Sequence, residues 1–95
     1  MATATFNGRI IASSDDIEIV EGNAYFPIDS LAPEVRSDSS HSTFCPWKGK
    51  AAYWDITVDG ETATDAAWYY PKPKKGATKA VADRVAFYPV VEVDL

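Results

Sequence analysis

Asp59-Gly60 separates two runs that each read as a strand, and this dipeptide constrains the fold more than any other feature of the chain. Both residues tolerate positive φ, as the two-residue loop of a β-hairpin requires. Lys50 to Val58 before it and Glu61 to Tyr70 after it are rich in β-branched and aromatic residues, which suit a pleated surface. A two-residue loop sets Val58 opposite Glu61. Counting back predicts Asp55 opposite Thr64, Tyr53 opposite Ala66 and Ala51 opposite Trp68. One face of the hairpin then carries Tyr53, Trp68 and Tyr70, and the other carries Trp54, Ile56 and Val58.

The same punctuation recurs upstream. Asn7-Gly8 predicts a hairpin joining Ala2–Phe6 to Arg9–Ala12. Ile17 to Glu21 alternates apolar and acidic residues, as a half-buried strand does. Gly22-Asn23 reads as the next turn and Ala24 to Ile28 as another short strand, pushed to an edge or an end by Pro27. Asp29 to Glu34 predicts one helical turn capped by Asp29 or Ser30. Residues 35–40 read as a polar loop that delivers the chain to His41. Downstream, Pro71-Lys72-Pro73 breaks the strand pattern. Residues 77–82 predict a short helix, and Arg84–Tyr88 and Val90–Val93 predict closing strands around Pro89. The expected fold is a single mainly β domain spanning residues 1–95, barrel-like or a bent sandwich, with about six to eight short strands and one short helix.

Ninety-five residues support one modest core. The net charge of −5 is asymmetric: residues 1–47 hold seven acids against Arg9 and Arg36, and the remainder is balanced. An acidic chain repels phosphate backbones, so nucleic acid is not an expected partner. No apolar run approaches the roughly 18 residues needed to span a bilayer, so no membrane is expected either. Met-Ala-Thr-Ala-Thr lacks the basic and apolar regions of a signal peptide. A single cysteine closes no internal disulfide and fits a reducing compartment, so the cytoplasm is the expected location.

Chemistry-bearing residues concentrate in His41-Ser-Thr-Phe-Cys45-Pro-Trp-Lys48-Gly49, which holds the only histidine and the only cysteine. A reactive thiol needs a nearby cation or base, and His41 and Lys48 flank Cys45 at four and three residues. Cys45 with His41 as base is therefore one candidate catalytic pair. Alternatively the thiol is a buried structural group, as free cysteines commonly are. Arg36, His41, Lys48 and the Ser42 and Thr43 hydroxyls form a candidate anion-binding set. Two ligands of the His41/Cys45 type fall short of a zinc site, and no phosphate-loop or dinucleotide fingerprint occurs. Neither a metal nor a cofactor is expected.

Three phrases carry a family resemblance. They are Thr43-x-Cys45-Pro46-Trp47-Lys48-Gly49-x-Ala51-x-Tyr53, Asp65-x-Ala67-Trp68-x-Tyr70-x-x-Pro73, and Val85-Ala86-Phe87-Tyr88, with Glu21 and Tyr25-Phe26-Pro27 as an upstream block. Together they resemble the domain-of-unknown-function 427 family. The resemblance implies a small, mainly β domain over nearly the whole chain. Some members are labelled nucleotidyltransferase-type; the glycine-serine turn and close acidic pair that hold two metal ions in such enzymes do not occur here at recognisable spacing.

The leading functional expectation is a pocket for a small anionic or nucleotide-like ligand. Its floor is His41, Cys45, Trp47 and Lys48, and Arg36, Thr43, Tyr53 and Trp68 line it. The alternatives are a cysteine-dependent enzyme using Cys45 with His41, and a structural or protein-interaction domain in which the Cys45–Gly49 stretch is a rigid corner.

Overall fold

In the computed structural model, which describes residues 1–95, nine strands form two antiparallel sheets. In chain order they are β1 (Ala2–Phe6), β2 (Arg9–Ser14), β3 (Glu18–Val20), β4 (Asn23–Pro27), β5 (Arg36–Cys45), β6 (Gly49–Val58), β7 (Glu61–Tyr69), β8 (Arg84–Phe87) and β9 (Glu92–Asp94). One helix of four residues, α1 (Thr78–Val81), interrupts them. The smaller sheet has the order β2-β1-β9, and the larger has the order β3-β4-β8-β7-β6-β5. The expected β class with one short helix is observed, with nine strands instead of six to eight. No helix is long and apolar enough to cross a membrane.

Each tight turn predicted from a glycine pair closes a hairpin, with one shift. Asn7 and Gly8 both have positive φ, and Phe6 faces Arg9 across them. Asp59 and Gly60 do the same between Val58 and Glu61. The β3–β4 turn is Glu21-Gly22, not Gly22-Asn23, because Val20 pairs with Asn23. Two single turns of 3₁₀ helix replace the predicted capped turn, and neither has a side-chain cap.

The largest departure is β5. Residues 36–40 do not form a loop; they open a strand of ten residues at the sheet edge. Serine and aspartate read as loop formers in isolation. Pairing with the apolar β6 overrides that preference, because β-propensity reflects the neighbour more than the residue.

Two irregularities flank the middle of β6. On one side Ser39, Ser40 and His41 stand against Tyr53 alone. On the other, Thr64, Asp65 and Ala66 stand against Asp55 alone. The second bulge shifts the predicted hairpin register by two, so Tyr53 faces Trp68 instead of Ala66. A shift of two preserves the side-chain faces. Trp54, Ile56 and Val58 therefore point to one core and Ala51, Tyr53 and Tyr70 to the other, as the sequence predicts. Asp65 adopts φ +54° at the bulge, and its N–H donates to the Asp55 carboxylate at 2.8 Å.

Each face of the larger sheet builds its own core. The smaller sheet covers one face: Ala2, Ala4, Ile11 and Ala12 pack against Phe26, Trp54, Ile56, Val85 and Phe87. Alanines on β1 and β2 let the sheets approach closely. On the other face α1 delivers Val81, with Ala77 before it, onto Tyr25, Tyr53, Tyr70 and Ala86. This second face also receives Trp68 and Cys45.

Gly49 opens β6 at φ +110°, and a Cβ there would lie 3.2 Å from the Lys72 carbonyl oxygen. Gly8 also has positive φ but has open space around it. Gly49→Ala is expected to lower unfolding stability by about 1–3 kcal/mol, and by more than Gly8→Ala, in urea denaturation. Equal losses at the two sites would deny the close approach its role.

Candidate functional site

The turn Pro46-Trp47-Lys48 joins β5 to β6, because Cys45 pairs with Gly49. It is tied to the loop after β7: the Lys74 N–H donates to the Lys48 carbonyl at 2.9 Å, and the Lys74 ammonium donates to the Pro46 carbonyl at 2.7 Å. That clamp directs the Lys48 side chain inward. Lys48 is 6% exposed and is the only buried charged residue of the chain. Its Nζ lies 5.5 Å from the Tyr70 ring centroid and 5.3 Å from that of Trp47. It donates to Glu21, a half-exposed carboxylate on the β3–β4 turn.

Burial works against the ammonium, but the Glu21 hydrogen bond and the facing Tyr25 and Tyr70 outweigh it and hold the Lys48 pKa above its ordinary 10.5. The same bond pulls Glu21 below its ordinary 4.5. Burial, with Tyr25 adding to it, pushes Tyr70 up to about 12. Tyr70 is neutral at physiological pH, beside a charged lysine.

A row of rings continues from Tyr25 across the same face. The Trp68 indole N–H donates to Tyr25 Oη at 3.1 Å, with the rings perpendicular. Trp68 meets Tyr88 at 4.8 Å between centroids, and Tyr88 stacks on Tyr53 at 6.3 Å. His41 lies against Tyr53 at 4.5 Å, and the Thr43 hydroxyl shares a hydrogen bond with Tyr53 Oη at 2.9 Å. Bonding to Tyr53 raises the Tyr88 pKa. The double bulge adds Ser39, which donates to the Asp65 carboxylate across β6. Bulges of this kind often sit beside functional sites, where they re-aim side chains.

The residues nominated from sequence thus divide. Thr43, Tyr53, Trp68, Lys48, Cys45 and His41 share the second face, and Trp47 stands at its margin with its ring over Lys48. Arg36 does not join them. Its guanidinium lies 4.2 Å over Trp54, which belongs to the opposite core. The expected Cys45–His41 pair is not formed either. Both sit on β5, where four residues of extended chain span about 13 Å, and the thiol instead packs against the second core. Closeness in sequence suggested that pair, and the extended strand keeps its members apart. No three His, Cys, Asp or Glu side chains converge as metal ligands.

Glu21, Tyr25, Tyr70 and Tyr88 complete the face without having been nominated for it. Nothing local ties Glu21 to Lys48, 27 residues away. Its placement beside a turn glycine, and its inclusion with Tyr25 and Tyr88 in the resemblance, were the available signals.

The fold and this face define a small β domain built around one inward lysine. Residues 1–95 match the family model described as Domain of unknown function (DUF427), and the chain belongs to that family. A search of curated proteins finds no match.

The ion pair fixes a pH signature. Its stabilisation is present above the ordinary Glu value of 4.5 and fades as pH falls through the lowered Glu21 pKa. It is present below the ordinary Lys value of 10.5 and fades as pH rises through the elevated Lys48 pKa. The Tm difference between wild type and Glu21→Gln should therefore be flat between those limits and close at both ends. A difference that does not change with pH would remove the pair as its origin.

Proposed function

We propose that the domain binds a small anionic, nucleotide-like ligand on the second face of the larger sheet, with Lys48 as its anion contact. The single observation that carries this reading is the burial of Lys48 against one replaceable carboxylate. A buried ion pair is commonly no more stable than an apolar isostere, so a retained buried charge points to use. Glu21 is half-exposed and stands on a two-residue turn. An incoming phosphate or carboxylate would take its place on the ammonium. Trp47 and Tyr70 already flank Nζ, and Trp68, Tyr53, Thr43 and His41 continue the face as ring and hydroxyl contacts for the rest of the ligand. The acidic surroundings favour a small ligand over a polyanion such as nucleic acid. The unpaired thiol suits a cytoplasmic setting.

Lys48→Met separates binding from folding. It keeps the apolar stem and removes the charge, so Tm should hold or rise. Affinity for a nucleoside monophosphate, measured by calorimetry, should fall by about ten- to a hundredfold, the worth of one charged hydrogen bond. Equal affinity in wild type and variant would refute the assignment.

A further inference from the structure

The two bulges beside β6 gather polar groups that the Lys48 contact does not use. The Ser39 hydroxyl of one bulge donates to Oδ1 of Asp65 in the other. Oδ2 of Asp65 accepts no hydrogen bond, and no cation pairs with the carboxylate. Asp65 is half-buried, and the Asp55 bond to its N–H holds it at φ +54°. The Tyr88 hydroxyl faces the same carboxylate. Its bond to Tyr53 raises the Tyr88 pKa first, and burial and the charge of Asp65 add to the rise. The Tyr88 ring is 44% exposed and tilts against Trp68. Tyr53 also bonds the Thr43 hydroxyl and belongs to the core that receives Tyr70. Tyr70, against which Lys48 sits, follows Asp65 by five residues, at most about 16 Å of extended chain.

We propose that the end of the ligand remote from Lys48 is a sugar with two adjacent free hydroxyls, received by the Asp65 carboxylate, so that the ligand is a ribonucleotide and not a deoxyribonucleotide. This rests on the Lys48 contact proposed above and supplies its far end. An ionised carboxylate only accepts, and its two oxygens can take neighbouring O–H groups, as acidic side chains take ribose hydroxyls elsewhere. The hydroxyls of Ser39, Tyr88, Tyr53 and Thr43 around it both donate and accept, as a sugar does. An ammonium would only donate and leave their protons without use. The exposed ring of Tyr88, with Trp68 against it, offers an apolar surface to the sugar ring. A pentose carrying a phosphate, with a hydrogen bond at each end, bridges a span of the order that separates Asp65 from Lys48. A ligand without one of the two hydroxyls leaves a carboxylate oxygen without its donor, and a site built to bond a hydroxyl rejects such an analogue.

The test uses the full chain and calorimetry with adenylate, deoxyadenylate and phosphoethanolamine, on wild type, Asp65→Gly and Lys48→Met. Glycine takes the positive φ at position 65 without strain, so Asp65→Gly removes the carboxylate and keeps the bulge. Wild type should bind adenylate about tenfold or more tightly than deoxyadenylate, the worth of one hydrogen bond to a charged group. Asp65→Gly should abolish that preference. Lys48→Met should weaken both nucleotides by the same factor and leave the preference in place. Equal affinity of wild type for the two nucleotides overturns the sugar contact, and the lysine contact survives it if Lys48→Met still weakens both. A preference that persists in Asp65→Gly also overturns it. So does tighter binding of phosphoethanolamine than of adenylate, since Asp65 would then serve an ammonium. A protein that binds none of the three overturns both contacts. A preference lost in Asp65→Gly, with neither nucleotide weakened by Lys48→Met, upholds the sugar contact and removes the lysine contact alone.

Discussion

A lysine ammonium held between two aromatic rings, with a single carboxylate for company, is the constraint around which the second face of the larger sheet is arranged. Taking a charge out of water costs several kcal/mol even after relaxation. The protein offsets that cost with elements distant in sequence. The β3–β4 turn supplies Glu21, β4 brings Tyr25, and the residue just after β7 is Tyr70. The loop after β7 holds the Pro46-Trp47-Lys48 turn in place through two hydrogen bonds from Lys74. Gly49 is the residue that lets this loop lie against the turn, since any Cβ would press on the Lys72 carbonyl. Removing one of these supports leaves the others holding an uncompensated charge.

The two faces of the larger sheet divide the work. One is closed by the smaller sheet, with alanine, isoleucine and phenylalanine in ordinary sandwich packing, and it accounts for most of the buried side chains. The other is closed only in part by a four-residue helix. Its tyrosine hydroxyls, indole, imidazole and threonine are linked to one another by stacking and hydrogen bonds. Polar networks of this kind are costly unless satisfied, and here nearly every member has a partner. The sole buried side-chain nitrogen or oxygen without one, Nε of Arg36, lies elsewhere, over Trp54. The bulges beside Tyr53 and Asp55 bend the strands at the point where this face and the ordinary core share β6.

Much of this was legible in the residues alone, and the limits have physical causes. Turn chemistry is local, so Asn7-Gly8 and Asp59-Gly60 located their hairpins. Alternation is local too, so the opposite faces of Trp54 and Tyr53 could be read before any register was known. Bulges are not local. The two-residue offset at Asp65 depends on an aspartate accepting φ +54° because Asp55 bonds its N–H across the ladder. β5 escaped notice for the same reason: a run of serines becomes a strand only when β6 lies beside it. That error propagated to the site. As part of a strand, His41 and Cys45 are held apart and Arg36 goes to the other face. Lys48 was one of several candidates in the sequence, and its burial came only with the fold. Its counter-ion was invisible because it comes from another hairpin.

The account stands on Glu21 being a placeholder at the Lys48 ammonium. Its most direct measurement follows the Lys48 side-chain ammonium and the Glu21 side-chain carboxyl by NMR as a nucleoside monophosphate is added. Displacement predicts that both resonances move along one saturation curve, with the Glu21 carboxyl shifting toward the position of a free glutamate while the lysine stays charged. A nucleotide that saturates the protein and leaves the Glu21 and Lys48 signals where they were would contradict it, and Lys48 would then be a structural residue only.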